Sequence, residues 1–216
     1  MSALPAQLDL AEESRPREFQ PGSVGWTAED LDDPQFEQQW DEGRYEIVEG
    51  VLAQMPAAHF DGGRSLLRLV MMLQTHVDVA ELGGEFAVET DVVLDQMRVP
   101  RVDAVYLTAQ ALERQEALNA ARPRARGRYG RVRVVPTLAI ESLSIGHEAH
   151  DRSTKRRWYA EAGVPHYWLL DAYSKTVECL VLDGNSYRTE QLARGAEDLK
   201  PSLFPGLVVP LSRVWR

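Results

Sequence analysis

Cysteine is almost absent from this chain. Of its 216 residues only Cys179 is one, so no internal disulfide can form and a reducing compartment is indicated. Cys179 lies in an apolar alternating run, where a buried, inert thiol is expected. Every apolar run is too short to span a membrane. The N-terminal MSALPAQLDLAEESRPRE lacks the basic region and apolar core of a secretory signal, so the sequence reads as a cytoplasmic protein without a membrane partner. No glycine-rich phosphate loop follows a strand pattern, no Cys or His cluster has zinc spacing, and no GxSxG stretch occurs. Nucleotide-dependent, zinc and serine-hydrolase chemistries therefore lack their signatures. Repeats and low-complexity arrays are missing too.

Basic residues are also in deficit, with 24 against 33 acids and a net charge of −9, but the imbalance is local. Residues 1–50 hold thirteen of the acids and only three bases, Arg15, Arg17 and Arg44, so the remainder is close to neutral. Within that remainder the run RPRARGRYGRVR, residues 122–133, is arginine-rich and free of acid. Such a run reads as a solvated loop or as a phosphate-binding strip, with Arg124, Arg126 and Arg128 as its candidate nucleic-acid contacts.

Hydrophobic residues make up 44% of the chain, enough for one substantial core. Residues 1–25 are polar and without sustained periodicity, which predicts a flexible tail ahead of a single domain over 26–216. RYEIVEGVLAQMP alternates like a β-hairpin turning at Glu49 and Gly50. From His59 to about Glu81 apolar residues fall at helical spacing. GEFAVETDVVL and RVPRVDAVYL then read as antiparallel strands turning at Asp95 and Gln96, followed by a helix over 109–121. Strands at Thr137–Leu143, HYWLLD and TVECLVLD complete a mixed sheet, with a Pro-punctuated apolar end docked on the body. The fold class is α/β, or α+β with a mixed sheet.

The stretch from Pro136 to Asp171 says most about chemistry. Its first strand is apolar except for Glu141, and a carboxylate in a dry interior needs a compensating cation. The helix expected over 152–162, with Asp151 as N-cap, Gly163 at its end and Pro165 beyond, supplies one. Asp151, Lys155 and Tyr159 recur every four residues and share a helix side, so Lys155 can be aimed back at Glu141. Asp103 is a second acid in an apolar strand. Two carboxylates and a lysine at one spot suit a hard divalent ion such as Mg²⁺, and equally suit a buried structural ion pair.

RYEIVEG, His59, DVVL, RVDAVYL, AIESLS, Asp151, Lys155, Tyr159 and GVPHYWLLD together resemble the Uma-two family, described as putative restriction endonucleases and classed as a domain of unknown function, within the PD-(D/E)xK restriction-endonuclease-like superfamily. The resemblance covers roughly Tyr45 to Tyr187. It implies a core of αβββαβ order behind an N-terminal β-hairpin, and a metal-dependent endonuclease acting on DNA with Mg²⁺ or Mn²⁺. Asp103 and Glu141 would be metal ligands and Lys155 the catalytic lysine, moved from the strand position now held by Leu143 onto the helix. Glu46, His59, Asp151 and Tyr159 would support the site, Glu46 as a third carboxylate and Tyr159 by holding Lys155. Cutting both strands implies a homodimer. Val102 stands where the family has proline before the Asp, and Ile145 where it has proline after Leu-Ser. A catalytically inactive module that binds DNA or a protein partner, and a phosphoesterase for small substrates, are the rival readings.

Overall fold

The structure, a computed structural model, describes residues 18–55, 59–121, 131–144, 146 and 148–216. Its centre is a six-stranded sheet of β3 (Glu85–Asp91), β4 (Arg101–Leu107), β5 (Leu138–Ser142), β6 (His166–Asp171), β7 (Thr176–Asp183) and β8 (Ser186–Arg194), in that spatial order. Neighbours are antiparallel except β5 and β6, which run parallel. A parallel pair needs a crossover. Here it is a π-helical turn, His150–Lys155, that runs into α4 (Arg156–Glu161). With α2 (Phe60–Val79) ahead of the sheet, the elements α2, β3, β4, β5, α4 and β6 follow the αβββαβ order, and α3 (Ala109–Ala120) is inserted between β4 and β5. Thr108 starts α3 by accepting a hydrogen bond from the Ala111 N–H.

Both sheet faces are covered, which explains the unbroken apolar character of β5 and β6. One face packs under Leu66, Leu69, Val70, Leu73 and Val77 of α2, together with Phe204, Val209, Leu211 and Val214 of the C-terminal segment. That segment is held by the short pair β9 (Asp198–Leu199) and β10 (Val209–Pro210). The other face meets Tyr159 and Ala160 of α4, with Val164 beyond it and Ala111 and Leu112 of α3. A third cluster lies outside the sheet. The hairpin of β1 (Tyr45–Val48) and β2 (Val51–Gln54) closes Ile47 and Leu52 over Trp26, Phe36 and Trp40, the last two from α1 (Pro34–Glu42). Among the described residues no helix is long and apolar enough to cross a membrane.

Several boundaries differ from the sequence reading. β4 begins at Arg101 and not at Arg98, because Val99 exchanges both backbone hydrogen bonds with Ile47 and ties the β3–β4 connection to the hairpin. β8 has no counterpart in that reading, whose last strand was TVECLVLD. SYRTEQLAR is polar because the strand lies at the sheet's edge, where only Tyr187 and Ala193 are buried. Residues 18–25 are mostly exposed, but the Phe19 ring lies edge-on to Trp26 and Tyr45 and Val24 bridges to Val51.

Leu73 is fully buried between α2 and the sheet. Leu73→Ala is expected to lower unfolding free energy by about 2–5 kcal/mol in urea titration, the cost of a core cavity.

Candidate active site

Register puts the two strand acids side by side. Ala104 pairs with Ile140 and Val105 with Ala139. One step further along the same ladder, Asp103 stands opposite Glu141, and side chains opposite each other project from the same face. That face is the one covered by α4, since Val105, Leu107 and Ala139 pack with Tyr159. The Ser142 N–H donates to Asp103 Oδ2 at 2.7 Å, which fixes one oxygen and leaves Oδ1 free.

Lys155 reaches this pair from the crossover. Its Nζ lies 3.1 Å from Glu141 Oε1, 2.7 Å from Glu46 Oε1 and 3.7 Å from Asp151 Oδ1, and donates to the Arg101 carbonyl at 3.4 Å. The sequence reading placed Asp151 as an N-cap. Instead the helix starts earlier and Asp151 sits inside the π-helical turn, which directs its buried side chain toward Lys155. The wider turn frees backbone carbonyls. That of Asp151 accepts from the Arg156 N–H and from the Tyr167 hydroxyl at 3.0 Å. Tyr159 also has a different partner from the expected one: its hydroxyl donates to Glu141 Oε1 at 2.8 Å rather than contacting Lys155.

Glu46 comes from the hairpin and is fully buried. Its Oε1 accepts from the Arg101 N–H at 3.0 Å as well as from Lys155. His150 Nε2 lies 3.4 Å from Oε2, without the alignment of a hydrogen bond. His59 occupies the residue before α2 and makes no cap bond. It lines the same solvent-open cleft as Glu46, Asp103, Glu141, Asp151 and Lys155. Gly62, in the first turn of α2, lets that helix approach the end of β5. A Cβ there would come within 2.8 Å of Ser142 Oγ.

Electrostatics divide the acids. Burial pushes Glu46 up, but the Lys155 charge and the His150 contact outweigh it and hold the carboxyl below its ordinary range. Burial raises Asp103 to about 6, against the opposing Ser142 N–H and Lys155. Glu141 is raised well above its usual value by burial, with Asp103, Asp151 and Glu46 adding to the effect and Lys155 opposing it. Asp151 moves in the same direction through burial. Burial alone would lower Lys155, yet Glu141, Glu46 and Asp151 keep it above the ordinary lysine value and firmly charged.

Four carboxylates thus face one lysine; Asp103, Glu141 and Asp151 are all raised, and Asp103 and Glu141 are the two that stand side by side on the sheet. That donor set fits a hard divalent ion, which takes oxygen ligands and usually keeps several waters. No three His, Cys, Asp or Glu side chains among the described residues form a ready-made ligand group. Two carboxylates suffice for Mg²⁺. Arg124, Arg126 and Arg128 lie outside the described residues. The sequence reading missed Arg44, Glu89, Arg101 and His150, all of which line the cleft. The only signals for them were the closeness of Arg101 to Asp103 and the position of Arg44 at the mouth of the hairpin.

A family profile described as "Putative restriction endonuclease" matches residues 33–212. The chain belongs to the Uma2 family. Among solved structures, one from Anabaena variabilis, described as a putative nuclease belonging to DUF820, is similar in fold. It has a TM-score of 0.61 and 16% identity, over 81% of this chain and 90% of that one. No curated protein matches. The Uma2 match includes every element that contributes to the cleft, from the hairpin with Glu46 to the helix with Lys155.

Two measurements test these electrostatics on metal-free protein. Lys155→Met strips the cation from four carboxylates and is expected to cost about 3–5 kcal/mol of stability at pH 7, read by urea unfolding. Asp103 has a folded pKa of about 6 against an ordinary 3.8, so the native state holds its proton more tightly. Its stabilising contribution is whole below about pH 4 and is lost as pH rises through about 6. Wild type should therefore lose stability relative to Asp103→Asn across that window, and a constant difference would contradict the shift.

Proposed function

We propose that this Uma2 member is a metal-dependent endonuclease that hydrolyses phosphodiester bonds in DNA with water as the nucleophile. The observation that carries the reading is the pairing of Asp103 and Glu141 on adjacent strands, with the Lys155 amine 3.1 Å from Glu141, in one solvent-open cleft. Asp103 and Glu141 would hold Mg²⁺ or Mn²⁺. When bound, such an ion supplies a water of lowered pKa and positive charge for a phosphoryl oxygen.

The protein's own groups have separable roles. Ser142 N–H holds one Asp103 oxygen, and Tyr159 and Lys155 both hold Glu141 Oε1, so each acid presents its other oxygen to a cation. Lys155 stays protonated and therefore acts as a fixed positive charge, not as a base. Placed beside the metal ligands, it offsets the negative charge that grows on the phosphorus oxygens. Glu46 anchors Lys155 through its Oε1, 2.7 Å from the amine. His59, at the cleft wall, is placed to meet a phosphate or a water. Cutting both strands takes two such sites, which a homodimer supplies.

Cleavage of supercoiled plasmid in Mg²⁺ or Mn²⁺ tests the proposal. Asp103→Ala, Glu141→Ala and Lys155→Ala are each expected to lower the rate at least about 100-fold, the scale for losing one transition-state stabiliser. Mg²⁺ should raise the melting temperature of wild type and not of Asp103→Ala. Equal cleavage by all four proteins would remove the assignment. A wild type that binds DNA but cuts in neither metal would leave the noncatalytic module standing.

A further inference from the structure

Among the described residues four non-glycine positions have a left-handed backbone, and three of them, Glu49, Glu81 and Lys175, are in turns or just past a helix end. The fourth, Glu89 at φ 50°, lies inside β3. It falls between the pairs Val88–Ala104 and Thr90–Val102, so it stands opposite Asp103. A strained residue within a strand costs on the order of 1–3 kcal/mol and persists where the surroundings impose it. Here the conformation accompanies a carboxylate that lines the cleft beside the proposed metal ligands.

That carboxylate is gripped by two arginines. Arg44 Nη1 lies 2.8 Å from Glu89 Oε2 and its Nη2 donates to Oε1 at 3.2 Å, a bidentate contact. Arg101 Nε lies 3.8 Å from the same Oε2, while its Nη1 donates to the Gly43 carbonyl at 3.3 Å. The Nε atoms of both arginines are buried and have no hydrogen-bond partner. Arg101 is also tied to the centre of the site, since its N–H donates to Glu46 Oε1 and its carbonyl accepts from Lys155. Guanidinium forks bind carboxylate and phosphate with the same two-pronged geometry.

We propose that Arg44 and Arg101 form a phosphate-binding fork for the nucleic-acid backbone next to the Asp103–Glu141 centre, and that Glu89 occupies this fork in the free protein as a stand-in for the phosphate. The inference rests on the nuclease reading for the identity of the ligand as DNA. On binding, a backbone phosphate displaces Glu89 and takes its place against the guanidinium groups of Arg44 and Arg101. The two cations are aligned by Glu89 beforehand, and weak anions must compete with it. The fork therefore selects a polyanion that offers several contacts at once over isolated phosphate.

The test is binding of a fluorescein-labelled DNA duplex in EDTA, by anisotropy across a salt series, with the melting temperature of each variant as a folding control. Arg44→Ala and Arg101→Ala are expected to weaken binding and to reduce the slope of log affinity against log salt by about 1 each, as loss of one phosphate contact does. Arg44→Lys should keep the slope and lose part of the affinity, because the charge stays and the fork is gone. Glu89→Gln should tighten binding up to about fivefold, the factor for releasing an ion pair of about 1 kcal/mol. Affinity and slope unchanged in both alanine variants, or weaker binding in Glu89→Gln, would overturn the fork. An RNA duplex showing the arginine dependence where DNA does not would overturn the DNA assignment. Because no metal is present, the fork and the nuclease reading fail separately. Arginine-dependent binding without cleavage in any metal refutes the nuclease alone, and cleavage with arginine-independent binding refutes the fork alone.

Discussion

Lys155 is the one positive charge on which the interior of the cleft depends. Its amine touches carboxylates from three different elements: Glu46 from the hairpin, Glu141 from the sheet and Asp151 from its own helical turn. Each of those acids would be costly to bury alone. With Asp103 they outnumber the one lysine, and Glu141, Asp103 and Asp151 are all raised above the ordinary carboxyl range. A structural ion pair would end with its charges matched. This cluster instead holds two buried acids, Asp103 and Glu141, at adjacent strand positions lining the cleft with their carboxyls raised above the ordinary range, an arrangement that a divalent ion would relieve.

The fold is arranged to make that meeting possible. The only parallel pair in the sheet requires the crossover that carries Lys155, and the antiparallel β4–β5 ladder sets Asp103 beside Glu141. Gly62 allows α2 to close against β5 without filling the cleft. Val99 and Ile47 join the hairpin to the sheet through backbone hydrogen bonds, so Glu46 is positioned by a ladder and not by a loose loop.

Much of this was legible in the sequence because the carrying signals were local. A lone acid in an apolar strand, as at Glu141 and Asp103, is conspicuous wherever it occurs. The four-residue spacing from Asp151 to Tyr159 put one side of the helix toward it. The helix boundary was misread because Asp151 has the chemistry of an N-cap, and a π-helical turn leaves no compositional mark. Tyr159 was given the wrong partner for a related reason, since spacing fixes a shared face but not which neighbour a hydroxyl reaches. Arg44, Glu89 and Arg101 stayed hidden because polar residues near strand ends read as solvated until the tertiary fold brings them to one wall. β8 was hidden by an edge strand's polar composition.

The buried position of Glu46 has a consequence for how the chain comes together. Its carboxylate and the Lys155 amine are distant along the polypeptide, and Glu46 cannot leave water without that cation. The hairpin and the crossover helix must therefore dock in the same cooperative event. A partly assembled chain lacks the cleft, which forms only with the completed tertiary structure.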